Sequence, residues 1–114
     1  MQLILARHGN TFEKGEPAVW IGKATDLPLT EAGRGQAEAL GERLSARGVR
    51  PDALFSGPLK RHRQAAALIC GKLGLSPDLA KVDERLTEID YGAWEGKDEP
   101  EIRALGHGEA LDAW

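Results

Sequence analysis

Leu3-Ile4-Leu5-Ala6-Arg7-His8-Gly9 runs from three consecutive apolar residues to a cation, an imidazole and a glycine. A short unbroken apolar run stopped by polar residues and glycine predicts a central strand buried on both faces. Arg7, His8 and Gly9 are then expected at the point where that strand ends. The stretch 9–28 has no sustained period and holds Gly15, Pro17, Gly22 and Pro28. It predicts a long loop, and long loops in compact domains usually carry function. At Thr30 the pattern changes. Thr30 is a candidate N-cap, Glu31 places a carboxylate in the first turn, and Ala32, Gln36, Ala37, Leu40 and Leu44 recur at helical spacing until Gly48. Gly33, Gly35 and Gly41 each weaken that helix by up to about 1 kcal/mol, so tertiary packing must hold it.

Further along, residues 52–56 (Asp-Ala-Leu-Phe-Ser) predict a second strand, ending in Ser-Gly-Pro. Pro58 suits the first turn of a second helix, with Leu59, Ala66, Ile69, Cys70 and Leu73 along one stripe and Gly74 as its stop. Residues 80–83 predict a third strand, 87–96 an acidic, glycine-punctuated loop, and 100–105 a short helix. Strands alternating with helices predict an α/β fold, a mostly parallel sheet with helices on both faces. Ligands of such sheets bind beyond the carboxyl ends of the strands. That rule gathers Arg7-His8-Gly9, the segment 56–61 and the region of Glu88 on one rim.

Composition narrows the classes of function. One domain spanning 1–114 is the expectation for this length. Hydrophobic residues make up 41% and charged residues 29%, with a net charge of −3 and both signs interspersed. No Lys/Arg-rich run points to nucleic acid or to a polybasic membrane contact. No apolar stretch approaches the ~18 residues that span a bilayer, and the apolar start is too short for a secretory signal. Cys70 is the single cysteine; it excludes an internal disulfide, suits a reducing cytoplasm, and reads as buried helix filler. Three histidines far apart in sequence and one cysteine give no metal ligand set. No cofactor is implied. Oligomeric state has no signal in the sequence.

The residues on the expected rim suit phosphoryl chemistry. Guanidinium forks bind phosphate oxygens bidentately, so Arg7 and Arg61 can clamp one phosphate from two sides. A phosphorus held there is open to in-line attack by a neutral imidazole, with His8 as the nucleophile. The leaving oxygen needs a proton, which Glu88 can supply before activating the incoming water. Taken singly, each of these residues has a plainer reading: a structural histidine, a solvated helix arginine, a surface carboxylate.

The ordered motifs change that balance. Leu5-Ala6-Arg7-His8-Gly9-Asn10-Thr11 resembles the signature of the histidine phosphatase superfamily, which includes the cofactor-dependent phosphoglycerate mutases. Residues 25–33 (Thr-Asp-Leu-Pro-Leu-Thr-Glu-Ala-Gly) are similar to the family's loop into its first helix. Ser56-Gly57-Pro58-Leu59-Lys60-Arg61 is similar to its Ser-x-x-x-x-Arg segment, and residues 85–96 to the segment whose first glutamate is the general acid. Gly108-Glu109 is compared with a later Gly-Glu-Ser. The resemblance implies a three-layer, phosphoglycerate mutase-like fold, His8 as nucleophile, and Arg7 and Arg61 on the phosphate. It also implies Glu88 as acid/base, with Asn10 and Thr11 as supporting phosphate contacts.

Departures accompany it. Asn10 stands where Glu or Gln is usual and Lys14 where an Asn is usual. His62 and Ala65 stand where Ala and Thr are usual. The family's second catalytic histidine lies on a later strand, and nothing in these 114 residues supplies it; His107-Gly108 lacks a strand-like run before it. The domain is therefore expected to be C-terminally incomplete, cut before that histidine. The leading expectation is a phosphomonoester hydrolase acting through phosphohistidine, favoured over a mutase because the loop after Thr11 is short and departs at Lys14. Phosphoglycerate mutase-type transfer and a non-catalytic phosphate-binding fragment stand as alternatives.

Overall fold

The structure, a computed structural model, describes residues 1–114. The chain forms two compact units, one built from Met1–Glu13 and Asp26–Thr87, the other from Lys14–Thr25 and Glu88–Trp114.

The first unit holds helix α1 (Glu31–Ala46), strand β1 (Leu54–Ser56), helix α2 (Lys60–Lys72) and strand β2 (Ala80–Val82). Helix α1 begins where the sequence predicts: the Thr30 hydroxyl accepts the amide of Gly33 at 3.0 Å, and Glu31 sits in the first turn. A hydroxyl cap satisfies one of the donors that a helix start leaves open. Gly41, costly for helix propensity, lies where α1 meets α2; a Cβ there would stand 2.7 Å from that of Lys72. Lys72 also reaches across to Glu42 at 2.9 Å and Glu38 at 3.6 Å. The helices thus trade propensity for close approach.

Helix α2 starts at Lys60 rather than at Pro58. Its N-cap residue, Leu59, has no side chain that caps. The carboxylate of Asp26 takes that place, accepting the amide of Lys60 at 2.7 Å from 34 residues away. A carboxylate at this end also meets the positive pole of the helix.

Strands β1 and β2 pair in parallel, Leu54 with Ala80, Phe55 with Lys81 and Ser56 with Val82. The core beside them is small: Leu29, Ala37 and Ala65, with Leu68 packed against it. Cys70 is wholly buried on α2, in agreement with its reading as helix filler, and burial pushes its thiol pKa up.

The expected central strand at residues 3–5 is corrected. The segment forms no strand, and Leu3 and Leu5 are 74% and 85% exposed. A ladder needs a partner, and β1 and β2 pair only with each other in a two-stranded sheet. An apolar run registers side-chain chemistry, not whether a neighbouring strand is at hand. Phe55 is exposed as well.

The second unit holds helices α3 (Glu99–Ala104) and α4 (Gly108–Ala113). Asp98 and Glu101 cap α3 reciprocally, the arrangement that satisfies two open amides at once. Ile102 is its one wholly buried side chain. Trp20 stacks edge-on against Tyr91, Trp94 and Trp114 at 5.2 to 6.3 Å between ring centres. Trp20 and Trp94 are therefore part of an aromatic cluster. Glu95 ties the 20–25 loop down, accepting from the Gly22 amide at 2.7 Å and the Thr25 hydroxyl at 2.5 Å. No helix of the chain is long and apolar enough to cross a membrane.

Candidate phosphate-binding site

Arg7, His8, Asn10, Thr11 and Arg61 all belong to the first unit. The loop that carries the first four is docked on the start of α1 by its backbone. The Asn10 carbonyl accepts from the Thr30 amide at 2.9 Å and from the Thr30 hydroxyl at 3.2 Å. The Asn10 amide donates to Oε1 of Gln36 at 2.8 Å. Gln36, read from sequence only as a helix position, thereby anchors the loop. Three hydrogen bonds to one residue's main chain leave the Asn10 side chain exposed toward solvent.

His8 is half-buried. Its Nδ1 lies 2.8 Å from the carbonyl oxygen of Gly9. A carbonyl only accepts, so Nδ1 carries the proton and donates, and in the neutral ring the lone pair stands on Nε2. This contact orients the imidazole and selects the nitrogen that can act as a nucleophile.

Arg7 is exposed and lines a cavity of about 220 Å³ together with His8, Gln36, Leu40, Ala65 and Ile69. Arg61 is wholly buried in the first turn of α2. Its sequence neighbours Lys60 and Arg63 are exposed, so charge alone does not explain its position. Burying a guanidinium costs several kcal/mol unless acceptors meet it, and a positive charge held this way is little screened by solvent.

Histidines distant in sequence are not distant in the fold. The rings of His8 and His62 lie 5.7 Å apart, inclined by 52°. His62 is half-buried and rests on Gly57, where a Cβ would collide with its Nδ1. Only the departure from the usual alanine at this position marks it in the sequence.

Glu88 is half-buried. It opens the second unit, one residue after Thr87 closes the first. His107 is occupied within the second unit: the indole Nε1–H of Trp94 donates to its Nδ1 at 3.0 Å.

Residues 3–114 match the family model of the histidine phosphatase superfamily (branch 1). The chain is 40% identical over 113 residues to a 2,3-bisphosphoglycerate-dependent phosphoglycerate mutase of Methylobacterium sp. (strain 4-46), covering 98% of this chain and 53% of that protein. Among solved structures, a mycobacterial glucosyl-3-phosphoglycerate phosphatase is similar with a TM-score of 0.76 and 32% identity, over 92% of this chain and 46% of that one. Bacillus stearothermophilus YhfR is similar with a TM-score of 0.76 and 38% identity, over 93% and 48%. The chain spans about half the length of these relatives. With the Arg7-His8-Gly9 loop docked on α1 and a match across 3–114, the chain belongs to the histidine phosphatase superfamily.

Proposed function

We propose that the protein is a phosphomonoester hydrolase that works through a phosphohistidine on His8, acting on a small phosphorylated metabolite. The observation that carries this reading is the hydrogen bond from His8 Nδ1 to the Gly9 carbonyl, because it leaves Nε2 as the nucleophilic atom. Nε2 attacks phosphorus in line, the P–O ester bond breaks, and the leaving oxygen takes a proton from the Glu88 carboxyl. Glu88, now a carboxylate, removes a proton from water. The water oxygen attacks phosphorus, the P–N bond breaks, and inorganic phosphate leaves. Arg7 and Arg61 hold the non-bridging oxygens, whose charge changes most in the transition state; Asn10 and Thr11 add contacts. Neither a metal nor a cofactor enters these steps. The roles of Arg7, Arg61, Glu88, Asn10 and Thr11 come from the family motifs they match.

Two of the similar proteins are named for phosphoglycerates, which supports a substrate carrying a phosphoglycerate unit. A cytoplasmic location suits such a metabolite. The mutase relative favours a second reading, phosphoryl transfer between positions of phosphoglycerate. The two are separated by incubating the protein with 3-phosphoglycerate, with and without 2,3-bisphosphoglycerate. Release of inorganic phosphate supports the hydrolase; conversion to 2-phosphoglycerate without release supports the mutase.

A further inference from the structure

We propose that His62 is a second imidazole of the phosphate site and donates a hydrogen bond to the phosphoryl group as it transfers to His8. The inference rests on the phosphohistidine reading above and adds a residue to it. His62 follows Arg61 directly in the first turn of α2, so the helix that places the buried guanidinium also delivers this ring. Its ring centre lies 5.7 Å from that of His8, and a nitrogen of each ring lies within 4.8 Å of the other.

Rings this close can share one phosphoryl group. A phosphorus bonded to His8 Nε2 carries an oxygen that accepts from a donor on the far side. The path from nitrogen through phosphorus and oxygen to a donor nitrogen, folded at the tetrahedral phosphorus, spans on the order of 4 to 5 Å. The ring is also held in place. A Cβ at Gly57 would collide with His62 Nδ1 and stand 2.8 Å from its Cε1, and the Leu86 carbonyl oxygen packs on the same glycine at 2.5 Å from that point. The Nδ1 edge thus lies on the turn after β1, and Nε2, the other ring nitrogen, is the atom assigned to donate to the phosphate. The position is half-buried, where a charge-assisted hydrogen bond is worth more than in open water. Alanine, usual here in the family, makes no such bond.

The test titrates inorganic phosphate into the protein while following the imidazole carbon-bound protons by NMR, for the unaltered chain, His62→Ala and His62→Gln. Phosphate is expected to shift the His8 and His62 resonances together. His62→Ala is expected to weaken phosphate binding about tenfold, with His8 still the labelled residue when a labelled phosphoester is supplied. His62→Gln, which carries an amide donor near the position of Nε2, is expected to recover part of the loss. Alanine favours the helix at this position, and glutamine gives a second variant should alanine perturb the fold. Unchanged phosphate affinity and labelling rate in both variants overturns the inference and leaves the role of His8 standing. No saturable phosphate binding by the unaltered protein overturns both.

Discussion

Gly9 and Gly33 meet backbone to backbone: a Cβ on Gly9 would stand 2.5 Å from the Gly33 carbonyl oxygen, and one on Gly33 would collide with the Asn10 carbonyl. The loop after Arg7-His8 is therefore seated by main-chain contact with the first turn of α1. No side chain can be added at either glycine without moving that loop.

Gly33→Ala tests this contact. In an open helix the change would gain up to about 1 kcal/mol of propensity. Here the methyl group has no room, and forced overpacking costs about 1 to 3 kcal/mol. The variant is expected to be net destabilised by ~1–2 kcal/mol in urea and to lose phosphate binding along with the seat of His8. Gly35→Ala, with nothing near its Cβ, is expected to be neutral or stabilising. Equal behaviour of the two variants in urea would contradict the seating.

Asp26 caps a helix that has no cap of its own. Asp26→Ala is expected to cost about 1 kcal/mol, and Asp26→Asn less, because an amide oxygen still accepts the Lys60 amide. Hydrogen exchange at Lys60 reads the effect locally: it should speed up in Asp26→Ala. An unchanged rate would mean that the carboxylate does not hold this end of α2.

The fate of these two residues shows what a sequence does and does not disclose. Helix α1 was legible to within two residues of its end, because a hydroxyl cap, an acidic first turn, helical spacing and a glycine stop are all local signals. Strands β1 and β2 were legible for the same reason. The cap on α2 was not, since its donor and acceptor are 34 residues apart. Residues 3–5 were misread as a buried strand because an apolar run says nothing about what lies beside it. Arg61 was singled out by its place after the second strand and by the motif it matches, but nothing local in the sequence showed that it is buried. His62 was marked only as a departure from the family pattern, because helix position alone does not reveal that its ring lies on Gly57 and near that of His8.

Ala65, where the family usually has threonine, lines the cavity of about 220 Å³ beside Arg7 and His8. Ala65→Val adds two carbons there, worth about 1.6 kcal/mol of burial at ~0.8 per methylene, less about 0.5 for a β-branched residue in a helix. A net gain of about 1 kcal/mol is expected, read as a melting temperature raised by ~4 °C. A lower melting temperature would show that the cavity walls are closer than they stand here.

Asp83 is held well below its ordinary value of 3.8, to about 2, by hydrogen bonds from the side chain and then the backbone amide of Arg85. A lowered carboxyl pKa contributes stability above the unfolded value and loses it as pH falls through the folded one. The contribution of this pair is therefore expected to be complete above pH 4 and to fade toward pH 2. In Arg85→Ala the Asp83 titration, followed by NMR, should move up toward 3.8. A midpoint that stays near 2 would assign the shift to some other group.

The most direct measurement is to trap the phosphoenzyme. The protein is incubated with a ³²P-labelled phosphoester, quenched, and the label mapped by peptide. The account predicts a label that is lost in acid, survives in alkali, maps to the peptide containing His8 and disappears in His8→Ala. A label that persists in His8→Ala, or one stable in acid, would contradict His8 as the nucleophile.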